Sequence, residues 1–425
     1  MFSTIIQPYP NLRTVCLGVV THRGAAHDTL AGVTQVLLQT MVRGTEQHKE
    51  LEIARFIDGT GGSLFSATEK DFSIIGAQIQ PKYAIRTLDL LQEMISFPTL
   101  DEDHVSIEKQ NLIQIFHQVQ SNPIRRLLLF DADKAVFGEN HPLGRSQIGT
   151  PDSLNQITKE DLEETHKKLL VNPFGFAVGA ISEALHEQLD HQFSKFASTL
   201  EPNIHKPQSF PPKEAPPNHL ILTPIEQNGS VYLCINIITE IKPNLISLAR
   251  FSSAFLGESI FGSKMFTILR EQKAFGYVVG ATLKLFDSIL IQRCFMETTP
   301  KRAEEAIDTL VNILIEMGQM KISDEEYTTT RDFMLGQLDL AFDDSRQIAS
   351  RIINRKVHGL SPFIESGYDE IEKVTSEDIL SWWKGTLLQP KNFSLAISGD
   401  IDSSKIEWNW KNRTYSESRG RFNER

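Results

Sequence analysis

Apolar and polar positions along this chain switch between a period near two and a period near 3.6, and the switches mark out its elements. Residues 12–20, LRTVCLGVV, are apolar and β-branched and predict a strand, with a loop at THRGAAHD after it. In residues 32–45, GVTQVLLQTMVRGT, the apolar Val33, Val36, Leu37 and Met41 recur near helical spacing. Gln35 and Gln39 stand four apart there and share one helix face. Residues 50–58 predict another helix, stopped by the glycines that begin at Gly59, and SLFSATEKDFSIIGAQI then alternates as one or two strands. Helices are predicted at 81–95, 101–119 and 125–137, with Pro123 marking the break between the last two. A further helix spans 157–170, where Thr158 and Asp161 form a capping-box-like start. In the second half, a helix containing 265–271 is expected to stop near Gly276, and the strand YVVGATLKLF to begin at Tyr277.

The pattern repeats. ITKEDLEETHKKLLVNP at 157–173 has a counterpart in VTSEDILSWWKGTLLQP at 374–390, an offset of 217 residues. Each copy leads into an apolar strand and a glycine turn, GAIS at 179–182 and GDID at 399–402. Between the halves, six prolines (202, 207, 211, 212, 216 and 217) exclude helix and central strand. The expected organisation is a domain at 1–200, a Pro-rich linker at 201–218, and a duplicated domain at 219–425. The fold class is α+β.

Composition narrows the function. A chain of 425 residues with 40% hydrophobic and 23% charged residues is long enough for two packed domains. A net charge of -11 argues against nucleic acid as a main partner, because phosphate neutralisation needs clustered Lys and Arg. Cys16, Cys234 and Cys294 lie far apart in apolar contexts and read as buried small hydrophobes. No apolar run is long enough to span a membrane, and the start lacks the regions of a signal peptide, so a cytoplasmic protein is expected. Twelve histidines include no i, i+4 pair on a helix, and Cys-x-x-Cys, phosphate-loop and Gly-x-Ser-x-Gly motifs are absent. In ILREQKAFGYVVGA, residues 268–281, Arg270 and Tyr277 flank a helix-to-strand corner. They read either as hydrogen-bond donors aimed into a cleft or as a surface ion pair and half-buried packing.

Several collinear stretches together resemble the pitrilysin/insulinase family of inverted-zincin metallopeptidases, in its two-domain bacterial and mitochondrial-processing form. These are TVCLGVVTHRGAAHD; the frame Gly32, Arg43, Gly44 and Thr45 of the zinc helix; GTGGSLFSATEKDF; NHPLGRSQIGTPDSL; and LREQKAFGY. The resemblance implies two homologous α/β-sandwich domains, antiparallel-rich sheets covered by helices, forming a half clamshell. It also implies that the first histidine ligand maps to Gln35, the catalytic glutamate to Leu38, the second histidine to Gln39 and the third ligand to Ile115, while Glu108 matches a supporting position. Neutral amides and isoleucine supply neither charge nor affinity for zinc, and leucine accepts no proton, so no metal is expected in this chain. What the resemblance leaves is a zinc-motif-degenerate, non-catalytic subunit, inactive alone, whose Arg270 and Tyr277 act in trans at the zinc site of a paralogous partner in a heterodimer. Peptide substrate would bind along the edge strand at Ser66, Ala67 and Thr68. The alternatives within the same resemblance are a structural subunit like the respiratory-complex core proteins, and a peptide-binding homodimer.

Overall fold

The computed structural model describes residues 2–200, 210, 219–224, 229–257, 262–387 and 393–400. The predicted linker apart from Phe210, residues 388–390 of the second repeat copy, and the end of its glycine turn lie outside the described residues.

Among the described residues, ten strands form two five-stranded sheets of the same topology. The first sheet holds β1 (Ser3–Pro8), β2 (Val15–Thr21), β3 (Ser63–Thr68), β4 (Ser73–Ile79) and β5 (Phe174–Gly179), in the order β1-β5-β2-β4-β3. The second holds β6 (His219–Pro224), β7 (Val231–Glu240), β8 (Val279–Phe286), β9 (Ile289–Thr298) and β10 (Phe393–Gly399), in the order β6-β10-β7-β9-β8. In each, the first strand pairs parallel to the last and every other pairing is antiparallel. The two mixed sheets with their helices make a two-domain α+β protein. Among the described residues no helix is long and apolar enough to cross a membrane.

The repeat read from the sequence is a repeat of local geometry. Thr158 accepts from the Asp161 N–H at 3.2 Å, and Thr375 accepts from the Asp378 N–H at 3.1 Å, so the same capping box opens both copies. The strands that follow end at Gly179 (φ +132°) and Gly399 (φ +134°). A Cβ there would meet the carbonyl oxygen of Thr14 at 2.2 Å and of Ser230 at 2.4 Å, which is why both turns carry glycine.

Several local expectations shift. β1 was not anticipated: STIIQP carries too short an alternation to announce a strand, and its ladder comes entirely from β5, whose register partners lie 171 residues away. The helix at 50 continues over Gly59 to Thr60 and ends at Gly61, because Gly59 costs only propensity while Ile53 and Ile57 anchor the helix to the core. SLFSATEKDFSIIGAQI is a two-stranded hairpin. The expected helix at 125–137 starts at Pro123, with Asn122 capping it through Arg125 N–H, and is interrupted by a π-helical turn at Leu127–Asp131.

By internal contacts the chain forms two units that do not follow a single cut: residues 119–144 belong with the second sheet, and 337–366 with the first. In the first unit, helix Ser345–Val357 packs on β2 and β5, with Ser345 Oγ 2.9 Å from Thr14 Oγ1 and Arg346 stacked on Phe65 at 4.3 Å. In the second, Leu127, Ala132 and Ala135 pack against Cys234 of β7 and Ala396 of β10. There the buried Arg293 of β9 donates to the carbonyl of Leu128 at 2.8 Å and pairs with the buried Asp133. Each sheet therefore has one face covered by helices from the other half of the sequence. The three cysteines are free and buried, and burial pushes the thiols of Cys16 and Cys234 up to about 12, as small hydrophobes rather than reactive groups.

Candidate functional site

Helix Val33–Met41 packs beside β3 with Leu37, Leu38 and Met41 fully buried in the first core. Asp28 tethers its first turn, accepting from the N–H of Gly32 (3.2 Å) and Thr34 (3.4 Å) and from the Thr34 hydroxyl (2.5 Å). Burial outweighs these bonds and raises the Asp28 carboxyl from 3.8 to about 6. A carboxyl with a raised folded-state pKa contributes stability that is full below 3.8 and is lost as the pH rises through about 6. At about 1.4 kcal/mol per pH unit, that span corresponds to about 3 kcal/mol. Urea titrations at pH 5 and pH 7 should therefore show an acid-side gain that Asp28→Asn removes; an unchanged difference in the variant would rule the assignment out. At the other end of the helix, Arg43 bonds Glu50 at 2.5 Å and pairs with the buried Glu108, while His104 lies 3.3 Å from Glu50.

β3 is an edge strand, and the hairpin geometry shows which of its backbone groups are open. Glu69 N–H donates to Phe72 O at 2.8 Å, and the register below it (Thr68↔Ser73, Ala67↔Ile74, Ser66↔Ile75) is unbroken. Bonded and non-bonded pairs alternate in an antiparallel ladder. Phe65 and Ala67 thus turn their N–H and C=O toward β4, whereas Leu64, Ser66 and Thr68 turn theirs to the free edge. Gln147, from the NHPLGRSQIGT stretch, donates its side-chain amide to the Thr68 carbonyl. The groups that face the edge are therefore the N–H and C=O of Leu64 and Ser66 and the N–H of Thr68, while Ala67 presents only its side chain. Hydrogen exchange resolved to single amides should find Leu64, Ser66 and Thr68 fast and Phe65 and Ala67 slow. The reverse order would refute this reading of the edge.

Arg270 and Tyr277 lie in the second unit. The helical segment takes π geometry over Phe266–Gln272, and Lys273 N–H reaches back to Ile268 O at 3.0 Å. The chain then turns through Ala274 at φ +49°. β8 begins at Val279, two residues later than the sequence suggests, because Gly276 lies against the Glu297 backbone, where a Cβ would sit 2.6 Å from the carbonyl oxygen. Tyr277 consequently stands before the strand and is 82% exposed. Arg270 donates to the Tyr277 carbonyl at 3.4 Å, and its guanidinium lies over the rings of Phe266 (4.7 Å) and Tyr277 (5.3 Å). The corner thus brings Arg270 and Tyr277 side by side, with the tyrosine free of the packing role that its sequence context also allowed.

Comparison with known proteins places these elements. Residues 4–151 match the family described as Insulinase (Peptidase family M16), and residues 156–334 match the Peptidase M16 inactive domain. The chain belongs to the M16 insulinase family. It is 22% identical to the uncharacterized zinc protease YmxG of Bacillus subtilis, over 82% of this chain and 84% of that one. It is also 22% identical to the beta subunit of the mitochondrial-processing peptidase of Saccharomyces cerevisiae, over 94% of this chain and 90% of that one. A crystal structure of a peptidase M16 inactive domain from Pseudomonas fluorescens superposes with a TM-score of 0.82 at 17% identity, covering 93% of this chain and 95% of the other.

An M16 zinc site does not fit the residues of this chain. Leu38, where the family has its catalytic glutamate, is 1% exposed and packed in the core. Gln35 and Gln39 are half-buried neutral amides, the Gln39 Oε1 buried with no hydrogen-bond partner, and Ile115 presents an apolar side chain that is 39% exposed. Among the described residues no group of three or more His, Cys, Asp or Glu is arranged to hold a metal ion. Arg43, which the resemblance places in the frame, and Glu108, which it places at a supporting position, pair with each other. Sequence reasoning missed Asp28 and Gln147: their types announce nothing locally, although both fall inside stretches that resembled the family.

Proposed function

We propose that this chain is the non-catalytic subunit of a two-chain M16 zinc peptidase, lending Arg270 and Tyr277 to the zinc site of a paralogous partner. The observation that carries the reading is the corner at 270–277, where an exposed Tyr277 is held beside Arg270 and takes no part in its own domain's core. Zinc held by the partner would supply the activated water of peptide hydrolysis. The part of this chain is to direct a phenol O–H and a guanidinium at the peptide carbonyl, two donors of the kind that stabilise a developing oxyanion. The open groups of Leu64 and Ser66 would hold an extended peptide by strand addition. A family relative that is itself named as a subunit of a processing peptidase supports the two-chain form.

The experiment is reconstitution with a family member from the same organism that retains His-x-x-Glu-His. Peptide hydrolysis should need both chains, and elemental analysis of this chain purified alone should find less than one tenth of an equivalent of zinc. Stoichiometric zinc in the lone chain, or full activity of the partner without it, would sink the proposal. Tight association with an unchanged rate would point instead to a purely structural subunit.

A further inference from the structure

The loop that carries Tyr277 is braced by a residue outside the LREQKAFGY stretch. Arg302 follows β9, in the short turn Pro300–Arg302 that leads into helix Ala303–Met317. Its Nη1 donates to the carbonyls of Lys273 (3.0 Å) and Ala274 (3.3 Å), and its guanidinium lies 4.1 Å from the centre of the Phe275 ring. Nε is directed by Glu305 at 3.0 Å, and the same carboxylate lies 3.6 Å from Lys273 Nζ. Phe275 itself is buried, with its N–H bonded to Leu269 O at 3.0 Å. Beyond it, Glu297 N–H takes the Val278 carbonyl at 2.8 Å.

These contacts divide the labour. The Phe275 and Val278 bonds hold the part of the loop that follows Ala274, but Ala274 itself sits before them in the left-handed region, a conformation that costs a non-glycine residue of order 1 kcal/mol or more and persists only where its surroundings hold it. Arg302 is what holds it: one planar group satisfies two successive carbonyls that the end of the helix leaves open, and covers the aromatic ring beside them. Lysine cannot reproduce this, since a single ammonium has no plane to stack on Phe275 while bridging two carbonyls and Glu305.

We infer that Arg302 is the positioning residue of the Arg270–Tyr277 pair, setting the direction of both donors without touching substrate. The inference rests on the proposed role of that pair in trans, and its test separates the two. Full-length Arg302→Met and Arg302→Lys are compared with the parent in two measurements. In the chain alone, hydrogen exchange of the segment 273–278 should speed up at least tenfold in Arg302→Met, with β9 and helix Ala303–Met317 unchanged. In the reconstituted pair, kcat should fall roughly tenfold to a hundredfold with KM within about twofold, the size expected when a donor is misplaced by about an ångström. Arg302→Met added to the combined Arg270→Ala, Tyr277→Phe variant should cost almost nothing further, because donors already removed cannot be misaligned, whereas general unfolding would add its own loss. Arg302→Lys should recover only a small part of the rate. Full activity of Arg302→Met beside an impaired Tyr277→Phe would overturn the positioning role and leave the donor pair standing. If Tyr277→Phe were itself silent, the proposed function would fall, and the exchange measurement alone would decide whether Arg302 sets the loop.

Discussion

Tyr277→Phe is expected to reduce kcat of the reconstituted pair by about a hundredfold to a thousandfold while leaving partner affinity and KM nearly unchanged. A single donor removed from an oxyanion site costs about that much. Phenylalanine keeps the ring that Arg270 stacks on and deletes only the hydroxyl, so the variant isolates the hydrogen bond. At 82% exposure the hydroxyl has no structural duty in its own unit, and the melting temperature of the lone chain should stay within a degree or two. Arg270→Ala should cost at least as much in rate, because it removes a donor and also the group bonded to the Tyr277 carbonyl. The combined variant should be little worse than the poorer single one, as for groups that act as a unit. The measurement is steady-state hydrolysis of a fluorogenic peptide, with partner affinity followed separately by ultracentrifugation. Activity retained by both single variants would remove catalysis in trans from the account of this chain.

Asp133→Ala is expected to destabilise the second unit by about 3–5 kcal/mol, the usual cost of leaving a buried charge without its partner. Arg293 is 1% exposed, and its remaining bond, to the Leu128 carbonyl, does not neutralise it. At about 2–4 °C per kcal/mol for a unit of this size, the melting temperature should drop by about 6–20 °C. The loss should come with exposure of the segment Leu127–Phe137, since the ion pair fastens that segment to β9. Asp133→Leu combined with Arg293→Met should restore most of the stability, because two well-packed apolar residues avoid the desolvation that the ion pair has to offset. Calorimetry checks both. If the double variant were as unstable as Asp133→Ala, the pair would matter for more than mutual neutralisation.

Where the sequence and the folded chain agree, the information was local. The capping boxes at Thr158 and Thr375 and the helix at Val33–Met41 are written in residues three or four apart, which is the range over which side chains meet along a helix. The duplication was legible for the same reason, as two copies of a local pattern. Family membership was legible because several such patterns lie in one order along the chain. Tertiary structure alone decided the rest. β1 is a strand only because β5 lies beside it. Residues 119–144 and 337–366 cover sheets belonging to the other half of the sequence, which no local period encodes. Arg302 reaches back 29 residues to Lys273, and Gln147 reaches 79 residues to Thr68, through polar groups whose partners are chosen by the fold. Apolar periodicity follows from one element's own geometry and can be read from the chain; the partner of a hydrogen bond or a buried charge depends on which distant elements packing brings within about 3 Å, and only the folded chain specifies that.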